Sequence, residues 1–175
     1  MQRILDTLEF SPAFIKTATW DVLAWNNAAA AVFTDYSLLP VGQRNILRLM
    51  FCNPGTRDKQ DDWQAVARFI VAAFRADATR AGAASEVINL ADELCSLSPD
   101  CSALWCDNDV RLQGEGTKRL RHATHGLIEL EYSGFAVDGR PDLSMIVYNP
   151  VTTTDADRVR AIVQSYLASG NAAKK

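Results

Sequence analysis

The stretch FIKTATWDVLAWNNAAAAVF, residues 14–33, carries two periodicities back to back. Residues 14–17 and 20–25 read as two strands across a tight turn at Ala18-Thr19. Alternation along the second strand sets Trp20, Val22 and Ala24 on one side and Asp21, Leu23 and Trp25 on the other. From Asn26 onward the pattern is helical. An asparagine at that point is a cap residue, because its side-chain oxygen accepts from a backbone N–H that the first turn leaves free. The chain therefore reads as a hairpin that becomes a helix at Asn26.

Upstream, QRILDTL (2–8) sets Ile4, Leu5 and Leu8 on one helical face and is ended by Ser11-Pro12. Downstream, helical spacing recurs over 43–51, 61–81 and 85–97, the longest segment carrying Trp63, Val66, Ile70, Ala73 and Phe74 as its apolar stripe. After residue 109 the period changes to two. Residues 117–122, 126–137 and 143–150 read as an antiparallel meander with Leu120, Ile128, Leu130 and Tyr132 on one face. A last helix over 153–169 starts at a Thr154 cap, and 170–175 read as a frayed tail. The order is two strands, a helical middle, three strands and a helix. That is an α+β class, expected as one domain over 1–175 with an antiparallel sheet of about five strands packed against helices.

The 175 residues are 48% hydrophobic and 22% charged with mixed signs, the composition of an ordinary folded chain. A net charge of −3 supplies no electrostatic footprint for nucleic acid. No apolar run approaches the ~20 residues that span a bilayer, and the N-terminus lacks a signal-peptide pattern. Cys52, Cys95, Cys101 and Cys106 fit neither a CxxC pair nor a zinc ribbon, so reduced thiols in a cytoplasmic protein are expected. GEGTK (114–118) has Thr117 where a phosphate loop needs its lysine, and a strand follows it. HATH (122–125) brackets a turn without a third metal ligand nearby. No nucleophile–base pattern emerges, and the expectation is a protein that is not an enzyme and uses neither metal nor cofactor.

One strand raises an electrostatic question. Leu120 must face the core, so Lys118 and His122 point the same way, while Thr117, Arg119 and Arg121 point outward. A cation aimed inward requires an anionic partner, either an internal acid such as Asp109 or the carboxylate of a ligand.

Several motifs occur together in a fixed order: WDVLAWNNAAA (20–30), RNILRLMF (44–51), DW (62–63), SP and LW (98–99, 104–105), DVR (109–111), GTKRLRH (116–122), GLIELEY (126–132) and VYNP (147–150). This series, spanning nearly the whole chain, resembles the MmyB-like ligand-binding domain found C-terminal to a helix-turn-helix in Xre-type bacterial transcription regulators. The resemblance implies a PAS-like fold with a fatty-acid-like ligand held between helices and sheet. It also implies DNA binding only through a preceding helix-turn-helix domain absent from this chain, with residues 2–10 as the linker, so that the chain reads as an excised sensor domain or else as a stand-alone homologue. Strand and helix phase then nominate Trp20, Leu23, Trp25, Phe33, Leu47, Phe51, Ile70, Ile128, Leu130, Val147 and Tyr148 as apolar walls. Arg48, Arg119, His122 and Asn26 are nominated for the anionic head. A shift of one residue in phase exchanges inward for outward. The alternative reading is a PAS-like dimerisation or protein-interaction module, a homodimer without a small-molecule ligand.

Overall fold

The computed structural model describes residues 1–81, 84–107 and 116–170. Its elements run α1 (Gln2–Thr7), β1 (Ala13–Thr17), β2 (Val22–Trp25), α2 (Asn27–Val32), α3 (Ile46–Cys52), α4 (Pro54–Asp58), α5 (Trp63–Ala81), α6 (Ala84–Leu97), α7 (Pro99–Cys106), β3 (Thr117–His122), β4 (Gly126–Val137), β5 (Arg140–Pro150) and α8 (Thr153–Ala168). The five strands form one antiparallel sheet in the order β2-β1-β5-β4-β3. The α+β class and the five-stranded antiparallel sheet are those the sequence patterns lead one to expect. No described helix is long and apolar enough to cross a membrane.

Local chemistry explains most boundaries. Asn26 caps α2, accepting from the Ala29 N–H. Ser98 caps α7 and Pro99 occupies its first turn, where a missing N–H costs nothing. This turn-like Ser-Pro ends α6 and at once starts another helix, which periodicity alone does not register. The cap of α8 falls two residues earlier than Thr154. Thr152 is the cap, and with Asp155 it completes a reciprocal capping box.

The hairpin departs from simple alternation in two places. Trp20 is not in the strand but in the turn, where the Thr17 N–H donates to the Asp21 carbonyl and the Trp20 N–H to the Thr17 carbonyl. Trp20 has φ 65°, a left-handed conformation that a bulky side chain holds only when its surroundings over-determine it. The register then jumps between Ile15↔Ala24 and Lys16↔Val22, leaving Leu23 as an extra residue. This bulge puts Val22 and Trp25 on the same face and turns Leu23 out, 55% exposed.

The sheet buries both faces unequally. On the outer face, α1 inserts Leu5 among Ala13, Ile15, Leu143 and Val147, while Ile4 points to solvent. On the inner face, α2 and α8 cover Leu120, Ile128 and Leu130 with Ala28, Val32, Val159, Ile162 and Val163. A third apolar cluster is built among the helices, from Leu47 and Met50 on α3, Ile70 and Phe74 on α5, Leu90 and Leu94 on α6, and Cys101 on α7. Both sheet edges are covered: the Val22 N–H donates to the Arg44 carbonyl, and the Arg121 N–H to the Lys59 carbonyl. The space where α5 stands off the inner face is the site described next.

Candidate ligand-binding site

Inner-face side chains form rows across the strands because directly paired residues point the same way. One row is Lys16, Ser144 and Ala136, and the next is Phe14, Ile146 and Gly134. Then come Tyr148 with Tyr132, and finally Leu130 with Lys118. Facing these rows, α5 presents Phe69, Ile70, Ala73, Ala76 and Asp77, one helical face. Met50, Leu49 and Tyr36 close one side, and Val32 and Phe33 from the end of α2 the other. They enclose a pocket of about 350 Å³, within the range of small-molecule sites. It lies where the inner-face cluster under α8, the helical cluster and a further cluster of Phe14, Val22, Trp25, Tyr36, Leu49 and Ile146 meet without filling the space between them, so the void expected between sheet and helices is present.

The walls are mainly aromatic and aliphatic. Phe33 stands edge-on to Tyr148 at 4.8 Å, Phe69 to Tyr132 at 5.6 Å, and Trp20 to Phe74 at 5.9 Å. Burial pushes the Tyr36, Tyr148 and Tyr132 hydroxyls upward in pKa, so all three stay protonated.

Charges sit at the two ends. At one end Lys16, only 4% exposed, donates to Asp77 Oδ2 at 2.6 Å, and Trp20 Nε1 donates to the same oxygen at 2.9 Å. The Lys16 ammonium also lies 4.2 Å from the centroid of the Trp20 ring. These contacts anchor the indole and account for the strained Trp20 backbone. At the other end the Lys118 ammonium lies 5.0 Å from the Phe33 ring centroid and 5.8 Å from that of Tyr148. It has no carboxylate partner among the described residues, and desolvation pulls its pKa to about 8. Lys59 lines the same end, exposed, donating to the Phe33 carbonyl at 2.7 Å, its pKa also lowered by desolvation. The buried Gln60 Oε1 has no donor among the described residues. Three lysines against one aspartate leave the lining with a positive balance.

Of the nominated wall residues, Trp20, Phe33, Ile70 and Tyr148 line the pocket. The others lie elsewhere. Leu23 is turned out by the bulge, and Trp25 packs against Tyr36 in the neighbouring cluster. Leu47 and Phe51 belong to the helical cluster, where Phe51 stands edge-on to Trp63 at 6.0 Å. Ile128 and Leu130 lie under α8, and Val147 faces α1 on the outer side. Val147 and Tyr148 are adjacent on one strand and so cannot both face inward.

The nominated polar residues have other partners. Arg48 pairs with Glu93, its Nη2 at 2.8 Å from Oε2. Arg119 reaches Asp61 at 3.2 Å on the outer side, together with Arg121 at 2.5 Å. His122 sits beside His125 at the β3–β4 turn, ring centroids 5.1 Å apart, its pKa lowered by desolvation and by the nearby Lys59. Asn26 is buried and serves the backbone. Its oxygen accepts from the Ala13 and Ala29 N–H groups, and its amide donates to the carbonyls of Leu8, Ser11 and Leu5.

Lys118 faces inward as the β3 phase requires. Asp109, named as a possible partner for it, and GEGTK up to residue 115 lie outside the described residues. Lys16, Lys59 and Asp77 were not foreseen. Asp77 had a signal, since Ile70, Ala73 and Asp77 continue one helical stripe past Phe74. Lys16 had one too, as the lone charge in the apolar strand AFIKT.

The family model described as the MmyB-like transcription regulator ligand binding domain matches residues 1–162. No curated protein matches the chain.

Proposed function

The chain belongs to the MmyB-like transcription regulator ligand-binding domain family, and from that premise we propose that its pocket holds a fatty-acid-like molecule whose occupancy controls DNA binding by a helix-turn-helix domain of the same regulator. The observation that carries this reading is Lys118, a cation with no carboxylate partner among the described residues, at one end of a mainly apolar pocket. A carboxylate head pairs with that ammonium, and Lys59 adds a second positive charge at the same end. The acyl chain then lies along Phe33, Tyr148, Ile146 and Phe14 toward α5. Each buried methylene contributes ~0.8 kcal/mol, so about ten supply roughly 8 kcal/mol before the costs of immobilisation. Trp20, Phe33, Ile70 and Tyr148 keep their role as walls in this reading. The head group moves from Arg48, Arg119, His122 and Asn26 to Lys118 and Lys59.

The succession of hairpin, helices and three-stranded meander supports reading residues 1–175 as one PAS-like sensor unit. In that reading α1 is the link toward the DNA-binding domain, and the protein works in the bacterial cytoplasm without catalysing a reaction. Packed on the outer face through Leu5, α1 touches the strands whose inner side lines the pocket.

Native mass spectrometry of the protein as purified, followed by titration with dodecanoic acid, tests the reading. A retained long-chain acid or stoichiometric uptake of dodecanoate is expected. A protein that carries nothing and takes up no dodecanoate overturns it.

A further inference from the structure

The pocket is polar at both ends, and only one end is accounted for by a carboxylate head. At the far end, the Lys16–Asp77 pair lines the void itself. A buried ion pair is weak evidence for stability, since apolar residues of similar volume often replace one at no cost. Its neighbours are also polar. Ser144 is the β5 partner of Lys16 in the same inner row, and Tyr132 feels the Asp77 charge. Ala136, the β4 member of that row, is exposed, so this end is open to a ligand group.

The register sets the span. Lys16 and Lys118 lie three strands apart, about 14 Å at ~4.8 Å per strand. Their rows cross β4 at Ala136 and Leu130, six residues apart, which adds roughly 20 Å along the strand at ~3.3 Å per residue. The two lysine side chains shorten the gap from each side. A single-headed acid anchored at Lys118 would leave its terminal methyl against a buried ammonium and its partly exposed carboxylate partner, where a polar group makes the better contact.

We propose that the ligand is an amphiphile with two polar groups, a carboxylate at the Lys118 end and a neutral hydroxyl at the Lys16–Asp77 end. The pair is already neutral, so a second charge would oppose one of its members. A hydroxyl, which both accepts from an ammonium and donates to a carboxylate, serves both. This proposal rests on the acyl-ligand reading above and adds the chemistry of the distal end.

Isothermal titration of the full chain with dodecanoic acid, ω-hydroxydodecanoic acid and dodecanedioic acid separates the two. The ω-hydroxy acid is expected to bind about tenfold more tightly than dodecanoic acid, the diacid no more tightly than dodecanoic acid. In the Lys16→Met/Asp77→Leu double variant, which removes both charges together, that preference should vanish or reverse while dodecanoate still binds. Equal or weaker binding of the ω-hydroxy acid by the unmodified protein overturns the proposal and leaves the acyl-ligand reading standing. Failure of all three acids to bind overturns both.

Discussion

The Lys118 ammonium lies 5.0 Å from the centroid of the Phe33 ring, at the end of a pocket where no described carboxylate pairs with it. An ammonium held this way is costly, because the ring quadrupole replaces only part of its hydration. Lys118→Met removes that cost. The ligand-free variant is expected to be more stable by about 1–3 kcal/mol at neutral pH, a rise in Tm of several degrees by scanning calorimetry. Its affinity for dodecanoate should fall at least tenfold. A less stable variant with unchanged affinity would remove Lys118 from the site.

The same ammonium sets a pH dependence. Its folded-state pKa of about 8 is below the ordinary lysine value. Between that value and roughly pH 10.4 the unfolded chain binds more protons than the folded one, so this group's contribution to stability rises with pH across the window. Below pH 8 its penalty is fully present. A bound carboxylate favours the protonated form, so dodecanoate affinity should decline above pH 8, approaching tenfold per pH unit. Titrations at pH 7, 8 and 9 check this, and a flat profile would exclude Lys118 as the pairing group.

Ala73 is half-buried on the pocket side of α5. Ala73→Phe places a ring in the void rather than in a packed core, so stability should be unchanged or raised. Dodecanoate at about one hundred times its Kd should stabilise the unmodified protein by ~2.7 kcal/mol and raise its Tm by about 5–10 °C. The variant should shift by less than about 1 °C, as read by differential scanning fluorimetry.

Asn26 holds five backbone groups at the junction of α1, β1 and α2. Asn26→Ala leaves buried donors and acceptors without partners and removes a helix cap. The expected loss is about 3–5 kcal/mol, roughly 10 °C or more in Tm. Hydrogen exchange should rise first in α1, whose last carbonyls the amide holds. A loss below about 1 kcal/mol would show that water substitutes for the side chain.

The cysteines differ in environment. Cys52 and Cys106 are exposed, whereas Cys101 is buried in the helical cluster and burial pushes its thiol up to about 12. In the folded protein at pH 8, maleimide should label Cys52 and Cys106, and Cys101 should react only on unfolding. Mass spectrometry of peptides after timed labelling reads the difference.

The sequence by itself determined the elements whose signals are local. The spans of β3 and β4, the cap at Asn26 and the inward phase of Lys118 follow from alternation and cap chemistry within a few residues. The motif series also carried the family resemblance. Tertiary structure alone decided which side chains meet. The Leu23 bulge reverses strand phase, because a period of two makes a one-residue insertion exchange the two faces. It also decided that Val147 packs under α1 while Tyr148 faces the pocket. Lys16 and Asp77, 61 residues apart, meet only because α5 stands opposite β1. Composition and periodicity say which residues prefer burial. The pocket depends on where packed layers fail to touch, and that is set by the relative placement of α5, α8 and the sheet.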